Sequence, residues 1–306
     1  MRVWRSARPV GWVGIVPGYG EHSGRYQALA DWLSARGWSV AAFDLRGHGK
    51  SEGQRGHIRR FTDYLSDVLA FLEELRRERE GLPLALLGHS LGGLVVARFA
   101  ELYPDRVQGV ILSAPFFDLA MPVPAYKRVL GRLAARLWPS LSLPSGIDPT
   151  LLSHNPKVVE AYRTDPLVHR VATARWFTEV QAAQAAALED AARLTAPLLV
   201  LLGEADGLAS VFATRRFFVA CGSEDKALKL YDGFFHEVLN EADKGRVWQD
   251  LLSWLSSWRG RLEPSGLQWG RHEHENGCGG ELRPSGGRTP RQDQARGRRD
   301  PGVYSR

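Results

Sequence analysis

One six-residue stretch, Gly88-His89-Ser90-Leu91-Gly92-Gly93, limits the folds open to this chain more than any other. A short apolar run, Leu84 to Leu87, leads straight into it, and a longer run of small and apolar residues leads away from Leu91. The first reads as a buried strand and the second as a helix. Joining them through Gly-x-Ser-x-Gly calls for a turn so tight that side chains at Gly88 and Gly92 would strike neighbouring backbone. The serine is then held in a strained conformation that lifts its hydroxyl clear of the sheet. An ordinary glycine-rich turn has the same bare spacing; the strand before and the helix after are what set this one apart.

The same strand–helix rhythm extends in both directions. Val10–Val16, Trp38–Phe43, Pro83–Leu87, Val107–Leu112, Pro197–Gly203 and Ala227–Tyr231 read as strands. Between and after them, helical spacing marks Tyr26–Arg36, Phe61–Arg79, Leu91–Tyr103, Val211–Cys221 and Glu241–Arg259. Strands alternating with helices predict a parallel α/β sheet covered on both faces, and the continuous apolar character of the strands agrees. From Asp118 to Ala196 the rhythm breaks into proline-punctuated helical stretches with no strand signal. An insertion between two core strands, above their C-terminal ends, is expected to cap a crevice there, although an inert helical decoration has the same pattern. The expected division is a core of 1–117 and 197–262, a cap of 118–196, and a basic tail of 263–306 too poor in aliphatic residues to order itself.

Charge and cysteine content narrow the classes. The chain has a formal charge of +6, contributed mainly by arginines on helix surfaces and in the tail. That balance allows transient contact with anionic lipid surfaces, but no zinc-finger, basic-zipper or RNA-binding signature accompanies it, so no specific nucleic-acid partner is expected. Cys221 and Cys278 lie at neither metal nor redox spacing, and no signal peptide or apolar run of membrane-spanning length is evident. A cytoplasmic protein is the default expectation, with the oligomeric state open.

A serine hydroxyl becomes an effective nucleophile only beside a base. In a sheet of this kind the partners follow the serine in chain order, first an acid and then a histidine. Asp206 lies just past the strand ending at Gly203, and His236 lies between the last strand and the last helix. Glu204, two residues before Asp206, is an alternative acid. The remaining requirement is a pair of backbone N–H groups for the negative charge that develops on a carbonyl oxygen, worth roughly 3–4 kcal/mol each by analogy with a side-chain donor. Leu91 supplies one, and the loop Pro17-Gly18-Tyr19-Gly20 the other, at Tyr19, unless that loop is a plain Pro-Gly turn. This chemistry needs no metal and no organic cofactor.

Three longer stretches bring a resemblance. Gly18-Tyr19-Gly20-Glu21-His22-Ser23-Gly24-Arg25-Tyr26, Asp44-Leu45-Arg46-Gly47-His48-Gly49-Lys50-Ser51-Glu52-Gly53 and Gly88 to Gly93 resemble the monoacylglycerol lipase and lysophospholipase group of α/β-hydrolases. Asp165-Pro166-Leu167-Val168 and His236-Glu237 are similar as well, so the likeness spans nearly all of Val10 to Arg259. It implies an α/β-hydrolase fold with an inserted helical cap, and hydrolysis of single-chain acyl esters by Ser90, His236 and Asp206. Two departures stand out. Where that group has His-Gly, this chain has Pro17-Gly18, which removes a side chain and a backbone donor. The stretch before Val10 also leaves little room for the opening hairpin common in this fold.

The rival expectations are a short-chain carboxylesterase, a hydrolase-fold binding protein with a vestigial triad, and an accessory polyanion-binding role for the tail. Cap residues Met121, Val123, Leu130, Leu133, Trp138 and Trp176 supply apolar surface, either lining an acyl tunnel or simply packing on the core.

Overall fold

The computed structural model describes residues 1–121 and 125–262. Val123 and the basic tail expected over 263–306 lie outside the described residues. In chain order the elements are β1 (Arg2–Trp4), β2 (Gly11–Val16), α1 (Gln27–Ser34), β3 (Trp38–Ala42), α2 (Thr62–Glu78), β4 (Leu84–His89), α3 (Leu91–Leu102) and β5 (Val110–Ser113). Then follow α4 (Ala125–Leu137), β6 (Ser142–Pro144), α5 (Pro156–Thr164), β7 (Val171–Thr173), α6 (Ala174–Glu189), β8 (Leu198–Gly203), α7 (Val211–Ala220), β9 (Lys226–Tyr231) and α8 (Lys244–Leu262). Each core strand and helix expected from the sequence is present, with ends within three residues of the expected ones.

The sheet runs β1-β3-β2-β4-β5-β8-β9, with every pairing parallel except β1 against β3. Its period of two sorts the apolar runs onto opposite faces. Trp12 and Val16 of β2, Leu84 and Leu86 of β4, and Leu198 and Val200 of β8 pack with α2, α3, α6 and α7. Val13, Ile15, Ala85, Leu87, Leu199 and Leu201 pack with α1 and α8. The strands are therefore apolar without interruption because both of their faces are covered. The chain passes from β2 out to β3, then back past β2 to β4, so strand order reverses between β2 and β4. The loops after these two strands face each other across that reversal, where open α/β sheets leave a crevice.

One strand was not expected, and one expectation needs correction. The N-terminal stretch holds a three-residue strand, β1, with Arg2 opposite Ala42 and Trp4 opposite Val40. The insertion is not all helical, because β6 and β7 pair antiparallel from Ser142↔Thr173 to Pro144↔Val171. Three residues are too few for an alternating pattern to register, and Pro144 reads as a breaker.

Trp258 of α8 is fully buried against Trp38, and its indole N–H donates to Gln108 O at 3.0 Å. Truncation to alanine removes that bond and leaves a large void. Trp258→Ala is expected to lower unfolding stability by about 3–5 kcal/mol, measured by urea denaturation.

Candidate active site

Ser90 follows β4 directly and has φ 52° and ψ −116°, in a region that L residues seldom enter. Its N–H donates to Ser113 O at 2.9 Å, and its carbonyl accepts from Leu94 N (3.1 Å) and Phe116 N (3.0 Å). The surrounding chain thus fixes the strained conformation. The two flanking glycines are required by space: a Cβ on Gly88 would lie 2.2 Å from Gly92 O, and one on Gly92 would lie 2.0 Å from Val16 O. The second contact also brings the end of β2 against the elbow. A Cβ on Gly18 would lie only 3.2 Å from Ser90 Cβ, so the Pro17–Gly20 loop adjoins the serine.

Asp206 and His236 come from the loops after β8 and β9. His236 Nδ1 and Asp206 Oδ2 are 2.8 Å apart, and both residues are buried. The other carboxylate oxygen of Asp206 accepts from Leu208 N (2.8 Å) and Ala209 N (2.9 Å). The two loops are pressed together where Gly203 leaves no room for a side chain, since a Cβ there would lie 2.4 Å from both Phe234 O and Phe235 O. Ala205 N donates to Phe234 O at 3.0 Å across the same seam. Glu204 turns away from this pair and meets Arg215 at 2.6 Å. Burial alone would push the His236 imidazole down, but the Asp206 carboxylate outweighs it and holds the pKa above the ordinary histidine value of 6.5. Burial raises Asp206 in turn, and the facing histidine with the two loop N–H groups brings it below the usual carboxylate range.

The two backbone donors expected at Tyr19 and Leu91 lie on either side of the elbow. Among the described residues neither N–H has an acceptor, whereas Gly18 N donates to Glu21 Oε1 at 2.5 Å. The Tyr19 ring packs on Trp176, with centroids 4.2 Å apart, and its hydroxyl donates to Val171 O of the insertion.

Several residues that shape this site had no role assigned from sequence. Glu21 accepts from Gly18 N and from the Tyr26 hydroxyl (2.6 Å), and pairs with Arg25 at 2.8 Å. Arg25 also grips Glu237 through two bonds of 2.7 and 3.0 Å. A buried Glu21–Arg25–Glu237 bridge thus ties the loop after β2 to the residue after His236. The paired arginine and the bonds from Tyr26 and Gly18 overcome burial and hold Glu21 below the usual carboxylate range. Glu241 accepts from Phe235 N (2.9 Å) and from Ser153 and His154 of the insertion, and Glu237 N donates to Leu152 O at 2.7 Å. Glu21, Arg25 and Glu237 stand inside quoted motifs, yet no residue spacing announces which partners they meet.

The expected apolar lining divides sharply. Trp176 is buried beside Tyr19 and donates to the Tyr64 hydroxyl at 3.0 Å. Met121, Leu130, Leu133 and Trp138 are more than half exposed and do not line a closed tunnel. A helical stripe specifies an apolar face but not whether anything covers it.

The chain is similar to proteins of known family. Residues 7–243 match the family described as serine aminopeptidase, S33. The monoacylglycerol lipase of Mycolicibacterium smegmatis is 36% identical over 254 residues, covering 81% of this chain and 89% of that protein. Phospholipase YtpA of Bacillus subtilis is 32% identical over 251 residues, covering 81% and 96% respectively. The crystal structure of Paleococcus ferrophilus monoacylglycerol lipase is similar with a TM-score of 0.76 and 37% identity, over 84% of this chain and all of that one.

Two measurements follow from this geometry. The His236 ring should titrate by NMR above 6.5, and Asp206→Asn should bring the midpoint down; an unchanged midpoint would contradict the pairing. Arg25→Met strands two buried carboxylates and is expected to cost about 3–5 kcal/mol. Adding Glu21→Gln and Glu237→Gln should recover part of that loss in the same chemical denaturation assay.

Proposed function

The chain belongs to the serine aminopeptidase S33 family of α/β-hydrolases, in its monoacylglycerol lipase group, and we propose that it hydrolyses carboxylic esters of single acyl chains through Ser90, His236 and Asp206. The observation that carries this reading is the 2.8 Å bond between His236 Nδ1 and Asp206 Oδ2, set in the two loops that follow β8 and β9. With Nδ1 engaged as donor, Nε2 is left as the basic nitrogen. In the proposed cycle His236 takes the proton of Ser90 as its oxygen bonds to the ester carbonyl carbon, and the carbonyl π pair moves to oxygen. The amides of Tyr19 and Leu91 receive that oxyanion. Collapse breaks the bond to the alcohol, which leaves with the proton from His236. Water, deprotonated by the same ring, then attacks the acyl-enzyme, and the fatty acid leaves as Ser90 recovers its proton. Asp206 fixes the tautomer and stabilises the imidazolium without taking the proton.

The substrate class follows from the relatives and the insertion. Relatives named monoacylglycerol lipase and phospholipase align with four-fifths of the chain, and both kinds of substrate join an acyl chain to a polar head. Residues 118–196 serve in this reading as a cap, because they supply Val171, Leu151 and Leu152 to the loops around the serine. The exposed apolar residues of α4 suit transient contact with a lipid surface. No helix of the described residues is long and apolar enough to cross a membrane.

The direct test is turnover of p-nitrophenyl esters of graded chain length and of monoacylglycerol, with Ser90→Ala for comparison. Wild type is expected to act on both, and the substitution to lower kcat by about 10⁴-fold or more. Folded wild type inert on every ester would overturn the assignment. The acid limb of kcat/KM should lie above 6.5, because His236 must be neutral to act and its pKa is raised.

A further inference from the structure

Helix α4 is unusual in its composition. Its thirteen residues include Lys127, Arg128, Arg132 and Arg136 and no acidic residue. Tyr126, Val129, Leu130, Leu133 and Leu137 of the same helix, with Trp138 just after it, are each more than half exposed. Between α4 and α6 lies a cavity of about 440 Å³, lined by Val129, Leu133, Ala135 and Thr178 and by three arginines, Arg132, Arg136 and Arg175. That volume is within the range of small-molecule sites.

The three guanidinium groups are not equivalent. Arg175 is anchored, its Nη2 donating to Ala135 O at 3.1 Å and its Nη1 lying 3.9 Å from Glu179. Glu179 is itself engaged by Phe61 N at 3.1 Å. Arg132 and Arg136 have no hydrogen-bond or ion-pair partner among the described residues. Two unpaired forks beside a third, on an apolar rim, offer the donors that a phosphate diester takes in bidentate fashion, next to surface that acyl chains would cover.

We infer that this cavity is a site for the anionic headgroup of a membrane phospholipid, which Arg132, Arg136 and Arg175 bind while the exposed face of α4 sits among the acyl chains. Charge complementarity selects the occupant: a neutral headgroup leaves the forks unpaired, and a soluble anion leaves the apolar rim in water. The inference extends the proposed lipid contact of the cap, and it does not depend on the chemistry at Ser90.

The experiment is cosedimentation of the full chain with vesicles of phosphatidylcholine alone and of phosphatidylcholine mixed with phosphatidylglycerol. Wild type is expected to partition onto the mixed vesicles and much less onto the neutral ones. Arg132→Gln combined with Arg136→Gln should weaken the mixed-vesicle partition by about 30-fold, while turnover of a soluble short-chain ester stays unchanged. Equal partition onto both vesicles overturns the inference. So does a double variant that binds like wild type, which would place the attraction elsewhere on the chain. A paired Arg132→Lys and Arg136→Lys variant as tight as wild type also overturns it, because diffuse charge would then suffice. Failure of ester turnover in wild type, with vesicle binding intact, would count against the hydrolase proposal alone.

Discussion

Everything around the candidate site depends on a serine kept where serine does not choose to be. A residue at φ 52° and ψ −116° is held against a cost of order 1–3 kcal/mol, and the surrounding backbone must over-determine it. Here β5 receives its N–H at Ser113, and the chain just after β5 returns a bond to its carbonyl from Phe116. The start of α3 presses on the end of β2 so closely that Gly92 has no room for a Cβ. The parallel sheet is therefore the clamp that fixes the elbow.

The second constraint is electrostatic. Two loops that never meet in sequence, one after β2 and one after β9, are joined by a buried arginine between two carboxylates. Buried ion pairs are poor sources of net stability, because desolvation offsets most of the attraction. What the bridge does supply is geometry. Glu21 holds Gly18 N, which directs the neighbouring Tyr19 amide, while Glu237 directly follows His236. The arginine thus connects the proposed oxyanion donor to the proposed base, and neither loop can shift without the other.

The sheet was legible in the chain because its signals are local. Leu84–Leu87 running into Gly88-His89-Ser90 announces strand, turn and helix within ten residues, and the later positions of Asp206 and His236 follow from strand order. Position in the chain favours Asp206 over Glu204 as the acid, but spacing does not say where Glu204 points. Two residues in a loop differ in direction, and only the fold shows Glu204 turned to Arg215. The strands β6 and β7 were missed because three residues carry no period, and β1 because it pairs at an edge far from its sequence neighbours. The exposure of Leu130, Leu133 and Trp138 was invisible for a different reason: a helical stripe specifies a face, and its covering belongs to the rest of the structure or to a partner.

The insertion is attached unevenly, and its mechanics follow from that. The stretch from Asp165 to Thr173 is sewn to the core loops: Asp165 to His22 at 2.8 Å, His169 N to Gly20 O at 3.0 Å, Val171 O to the Tyr19 hydroxyl, and Thr173 N to Gly56 O at 2.9 Å. At about 1 kcal/mol net for each such bond, lifting this strap means breaking all four together. Helix α4, among the described residues, is tied within the insertion, as by Arg175 donating to Ala135 O. One side of the insertion is therefore stitched to the core loops beside the serine. The stitched side holds the Tyr19 ring through Val171 and the next residue of the same loop, Gly20, through His169, so the insertion and the loop beside Ser90 are mechanically one piece.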